Sequence, residues 1–160
     1  MSKIFLLLKY PDLEVRSNAA IVLSYLGNTP PILTSILLSF LSSQNYIKKI
    51  HVVEALGEMG NVSPEIVSAL ISLIGDHEFV RMYVASALGK TEASSAVVNS
   101  LLLLLGDPEI SVYSQAASSL VNLAKKSDII GSEVFQWLEQ NPNHDRIGGA
   151  IDCLWSIVVE

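Results

Sequence analysis

Basic residues are scarce in this chain. Its 160 residues hold ten Lys and Arg against 16 Asp and Glu, a formal net charge of −6. The only adjacent basic pairs are Lys48-Lys49 and Lys125-Lys126. Sequence-independent binding to a phosphate backbone needs clustered Lys and Arg to displace counterions, so nucleic acid is disfavoured as a partner. Cysteine is reduced to Cys153, which excludes an internal disulfide framework and a cysteine-based metal site. In its apolar context, Ala150-Ile151-Asp152-Cys153-Leu154-Trp155, that thiol reads as buried and structural, and it fits a cytoplasmic protein. Long apolar runs are missing too. The longest, Ile4 to Leu8 and Leu101 to Leu105, fall far short of the roughly 20 residues a spanning helix needs, so no membrane association is expected. The opening run stops at Lys9 with no small-residue cleavage pattern after it and reads as part of the fold. Catalytic signatures are absent as well: there is no Gly-x-Ser-x-Gly elbow, no Cys-His-Asn set and no glycine-rich phosphate loop. The many serines fall at caps and turns, where a hydroxyl satisfies backbone groups, and no enzyme activity is expected.

What the chain has in abundance is self-similarity. The segment Val15 to Leu23 is matched closely by Val80 to Leu88 and Val112 to Leu120, and more weakly by Lys48 to Leu56 and Arg146 to Leu154. The anchor leucines Leu23, Leu56, Leu88, Leu120 and Leu154 are separated by 33, 32, 32 and 34 residues. A fixed period of this length marks a repeat architecture whose units bury their faces by stacking. Each period holds two helical patterns, and no segment alternates with period two, so the fold is all-α with about five helix pairs. The first helices are expected at Pro30 to Leu41, Pro64 to Ile74 and Ala96 to Leu105, with one shortened to about Ser2–Lys9 at the start. Short turns at Ser42-Ser43, Gly75-Asp76 and Gly106-Asp107 lead to the second helices, the Asp side chains accepting from free N–H groups there. Pro64 and Pro108 suit a first helical position. Gly27, Gly57, Gly60 and Gly89 are expected to close second helices in the left-handed conformation. Alanines such as Ala19, Ala20, Ala85, Ala116 and Ala117 let paired helices approach closely. A single domain, 1–160, is expected, with repeats near 1–27, 30–60, 63–90, 94–126 and 131–160.

The element Asp-x-x-Val-Arg-x-x-Ala-Ala-x-x-Leu, Asp12 to Leu23, resembles the HEAT-like repeat named after the phycobilisome lyases. The ending, Phe135 to Gln140 and Gly149 to Trp155, is similar to the last repeat of cyanobacterial arrays that follow a NACHT-type NTPase; no nucleotide chemistry carries over. The resemblance implies a right-handed α-α superhelix, a HEAT-like solenoid, whose second helices line the concave face. It also implies a ladder in which the Arg of one repeat meets the Asp of a neighbour. Asp12, Arg16, Asp76, Arg81 and Asp107 match that ladder, while Lys49, Tyr113 and Ile147 depart from it.

With Val15, Ala19, Val22, Leu23 and Leu26 inward, the outward concave positions of repeats one to three include Ser17, Ile21, Tyr25, Ile47, Ile50, His51, Phe79, Met82 and Tyr83. Apart from Ser17 and His51 they form an apolar stripe across three adjacent helices, where the family usually places polar groups. A phase slip of one residue would instead move some of them into the core. Repeat four offers only polar groups at these places, Ser111, Ser114, Gln115, Ser118 and Asn122. A HEAT-like di-iron hydroxylase family holds metal with repeated His-Glu pairs, but here the one His-Glu dipeptide, His77-Glu78, precedes its helix, so neither metal nor cofactor is expected. The chain closes on Trp155 to Glu160 with almost no polar cap, which suggests self-association through apolar terminal repeats, the tail of a longer array, or Trp155 and Val158 turned inward. The function these observations favour is a protein-interaction scaffold that binds another protein in its concave groove. The alternative, suggested by the family's name, is an accessory subunit of a bilin lyase.

Overall fold

The computed structural model describes residues 3–27, 31–59, 63–145 and 147–159. Ser2, Pro30, Gly60, Arg146 and Glu160, which figure in the expectations above, lie outside the described residues. Among the described residues there are ten α-helices and no strand: α1 (Ile4–Leu7), α2 (Leu13–Tyr25), α3 (Pro31–Phe40), α4 (Tyr46–Glu58), α5 (Pro64–Ile71), α6 (Glu78–Leu88), α7 (Ser95–Leu105), α8 (Ile110–Ala124), α9 (Ile129–Gln140) and α10 (Ile147–Val159). They form five successive hairpins. The starts follow the expected chemistry. Asp12 Oδ1 accepts from the N–H groups of Glu14 and Val15 at 2.7 and 3.1 Å, and Asn45, Ser63, His77 and Ser94 cap α4, α5, α6 and α7 in the same way. Pro64 opens α5, where its missing N–H has no partner to lose. Pro108 does not open α8, which begins two residues later behind Glu109.

Two layers result. The second helices α2, α4, α6, α8 and α10 pack on one another in chain order, and the first helices α3, α5, α7 and α9 touch one another more sparsely. The second helices are thus the more closely packed layer. Leu23, Leu56, Leu88 and Leu120 are at most 1% exposed and sit at matching places in four hairpins. Leu154 is only half-buried, and Cys153 takes the buried place beside it.

Small residues set the second-helix spacing. A Cβ on Gly57 would stand 3.0 Å from the Cβ of Ala87, and one on Gly89 would stand 2.5 Å from Ser119 Oγ and 3.0 Å from its Cα. Both glycines are therefore packing positions rather than left-handed caps. Gly57 lies inside α4, Gly89 has φ −64°, and among the described residues only Gly27, at φ 70°, takes the left-handed form. Ser119 Oγ donates to Ala85 O of the preceding second helix at 2.8 Å, and one junction later Cys153 Sγ reaches Ala117 O at 3.6 Å. The same contact recurs at equivalent positions, the mark of stacked repeats.

Candidate functional site

The junction between repeats is pinned at the turn end of the second helices by charge. Arg81 donates through Nε and Nη2 to the two oxygens of Asp107 at 2.7 and 2.8 Å, and through Nη1 to Asp76 O of its own turn at 2.7 Å. Asp107 is 8% exposed, and the hydrogen bond it accepts holds the Arg81 pKa above its ordinary value against the opposing effect of burial. One junction earlier, Lys49 Nζ pairs with Asp76 Oδ2. Burial alone would raise the Asp76 carboxyl. Hydrogen bonds from Lys49 and the His77 N–H, with the lysine charge, outweigh it and hold Asp76 below the usual carboxylate range. Lys49 thus serves as a ladder cation where a departure was expected. Arg16 donates to Tyr10 O and Pro11 O, and Asp12 caps its own helix.

Beyond this ladder lie the second-helix positions of repeats one to three. Ile21, Ile50, Met82 and Tyr83 are half-buried against the core. Tyr25, Ile47 and Phe79 are 51, 50 and 44% exposed, and His51 is exposed as well. Tyr46, His77 and Phe79 stack, with ring centroids 4.3 Å apart for Tyr46–His77 and 5.6 Å for His77–Phe79. The Tyr25 phenol bonds to Glu54 of the next second helix. Its pKa is pushed up to about 12, first by burial and then by that bond and the charges of Glu54 and Glu58. Lys90 pairs with Glu58 there.

A family model for HEAT repeats matches residues 30–122, well over half of the chain. The chain belongs to the HEAT-repeat family. No curated protein sequence matches it. Among solved structures, a chain of the complex of CpcE and CpcF of phycocyanin lyase from Nostoc sp. PCC7120 is similar with a TM-score of 0.67 and 19% identity. The match covers 98% of this chain and 64% of the other, so this HEAT array spans less than two thirds of that protein's length. An engineered protein from a structural genomics programme is similar with a TM-score of 0.60 and 20% identity, over 97% of this chain and 78% of the other. At such identities the likeness shows a shared fold.

The HEAT stack corrects the expected helical phase in repeat one. Ser17, expected outward, is 5% exposed, while Val22 and Leu26, expected inward, are 44 and 63% exposed. The positions equivalent to Val22 in later repeats, Ala55, Ala87, Ser119 and Cys153, are all buried. They face the preceding second helix, and α2 has none before it among the described residues. Ser17 and Ser24 lie two turns apart on the side that α4 covers and are buried there. Of the eight proposed groove residues, Ile21, Ile50, Met82 and Tyr83 are half-buried and Tyr25, Ile47, His51 and Phe79 are exposed. Sequence reasoning missed Tyr46 and His77 as neighbours of Phe79; Tyr46 opens one second helix and His77 caps the next. In repeat four Ser111, Ser114, Ser118 and Asn122 are exposed. At the far end Trp155 and Val158 are 69 and 72% exposed, which overturns the inward alternative. Cys153 is not a nucleophile: burial pushes its thiol up to about 12, far from a thiolate at neutral pH. Among the described residues no three His, Cys, Asp or Glu converge as metal ligands, and no helix is long and apolar enough to cross a membrane.

Proposed function

We propose that this HEAT array is a cytoplasmic protein-interaction scaffold that seats a partner protein on the concave face of repeats one to three. The reading is supported by half-buried Ile21, Ile50, Met82 and Tyr83 and exposed Tyr25, Ile47 and Phe79, all apolar and carried by three adjacent second helices. Aromatic and methionine side chains on a semi-exposed apolar surface are typical of interface centres. The test replaces the exposed pair, Ile47→Ser with Phe79→Ser, which leaves the core intact, and measures capture of partners by tagged protein from native lysate against an unchanged Tm. Loss of the captured protein supports the reading; identical capture by the double variant defeats it.

The bilin-lyase reading is favoured by one observation, the structural likeness to a chain of the CpcE–CpcF complex. Under that reading added phycocyanobilin changes its absorbance on mixing with the pure protein; under the scaffold reading it does not. Self-association belongs to the terminal faces, Leu6, Val22 and Leu26 at one end and Ile151, Trp155 and Val158 at the other, all 44% exposed or more. Sedimentation equilibrium of Trp155→Ser against the parent protein tests it, with the variant expected to be the more monomeric.

A further inference from the structure

The outer layer carries a groove that the concave reading does not use. It lies between α7 and α9 and encloses about 460 Å³. Three carboxamides line it, Asn99, Gln136 and Gln140, together with the apolar surfaces of Leu103 and Trp137 and the carboxylate of Glu133. Glu133 Oε2 is buried and has no hydrogen-bond partner among the described residues. Burying a carboxylate oxygen without a donor is costly, and such atoms are few in native proteins. No compensating charge comes from the two helices, since neither Ser95–Leu105 nor Ile129–Gln140 contains Lys, Arg or His. His144 touches Trp137, with ring centroids 5.4 Å apart, but does not line the groove.

We propose that this groove binds the guanidinium group of an arginine side chain presented by a partner protein, with Glu133 as its counter-charge. The chemistry selects the ligand. A buried acceptor-only oxygen asks for a charged donor, and the carboxamide oxygens of Asn99, Gln136 and Gln140 accept further N–H groups. A guanidinium offers five donors in a plane, is more weakly hydrated than an ammonium and stacks on an indole such as Trp137. Leu103, 66% exposed at the mouth, receives the aliphatic stem. A lysine would satisfy Glu133 but leave most of the carboxamides unused.

Trp137 itself reports occupancy. In a Trp155→Phe background it is the sole tryptophan, because the chain has two. Titration with N-acetyl-arginine amide is expected to change its emission saturably, with N-acetyl-lysine amide at least tenfold weaker and the uncharged isostere N-acetyl-citrulline amide without effect. Glu133→Gln is expected to abolish the response while the free protein stays folded. Gln136→Glu, at an exposed position, is expected to tighten arginine binding severalfold. The proposal is overturned if arginine amide gives no saturable change up to its solubility limit, if citrulline amide binds equally well, or if folded Glu133→Gln responds like its parent.

Discussion

Two junctions of one stack, α6 on α8 and α8 on α10, differ at the position that follows the anchor leucine. At the first the residue is Gly89, and Ser119 packs so close that no Cβ would fit. At the second the equivalent residue is Val121, and adjoining clefts of about 430 and 470 Å³ open between the helices, lined among others by Val121, Lys125 and Ser156. Partners differ little across the two, since Ser119 and Cys153 occupy matching places and reach matching carbonyls. The comparison teaches that small residues set the points of closest approach at different places in different junctions, Gly89 against Ser119 in one and Gly149 against Tyr113 in the other, while the anchor leucines and the charge ladder hold the hairpins in register.

The largest effect expected from this contrast lies in the anchors. Leu88→Ala, in the middle, should cost about 4 kcal/mol as a fully buried leucine leaving a cavity. Leu154→Ala, half-buried at the end, should cost about a third of that; equal losses in urea unfolding would break the distinction between middle and end. Next comes the ladder. Asp107→Ala leaves Arg81 without its buried counter-charge and should cost about 3 kcal/mol, whereas Glu14→Ala, which removes the exposed partner of Lys48, should change stability by well under about 1 kcal/mol. The glycines sharpen the contrast further, because the same substitution should act with opposite sign. Gly89→Ala forces Ser119 and its backbone to shift and should cost about 2 kcal/mol. Gly148→Ala in α10, with nothing within 4 Å of the added carbon, should stabilise by about 0.5–1 kcal/mol through helix propensity.

The smallest effect expected is a dependence on pH. The folded Asp76 carboxyl titrates below its ordinary range, so the pair with Lys49 stabilises the fold above the unfolded value and is lost as the pH falls through the folded one. The stability gap between the parent protein and Asp76→Asn should be constant from neutrality down to about pH 5 and close below about pH 4. A gap that persists in stronger acid would show that the difference between Asp76 and its amide does not come from the carboxylate charge.

The helical class, the repeat period and the four fully buried leucines were legible in the sequence, because each follows from spacing along the chain. The phase of α2 was not. Val22 and Leu26 carry a core pattern, yet their burial depends on a preceding helix rather than on their own periodicity. The glycines were misread for a related reason. A helix-ending glycine and a helix-packing glycine look alike in sequence, and only the neighbour one period away distinguishes Gly57 and Gly89 from Gly27. Lys49 in the ladder and Tyr46 against His77 depend on pairing across the junction, which composition does not encode. The proposed groove residues were chosen because they recur at matching places, and which of them are half-buried and which exposed depends on the packing of each helix on the next.

Along the series Ser24, Gly57, Gly89, Val121 and Trp155, the volume at the contact point dips and then climbs to the largest side chain available. A helix laid on α10 as α8 lies on α6 would meet an indole where the inner junction offers a hydrogen atom. Whatever rests on that face must therefore stand off from it or splay around the ring, so the geometry of the inner stack cannot be extended unchanged across Trp155.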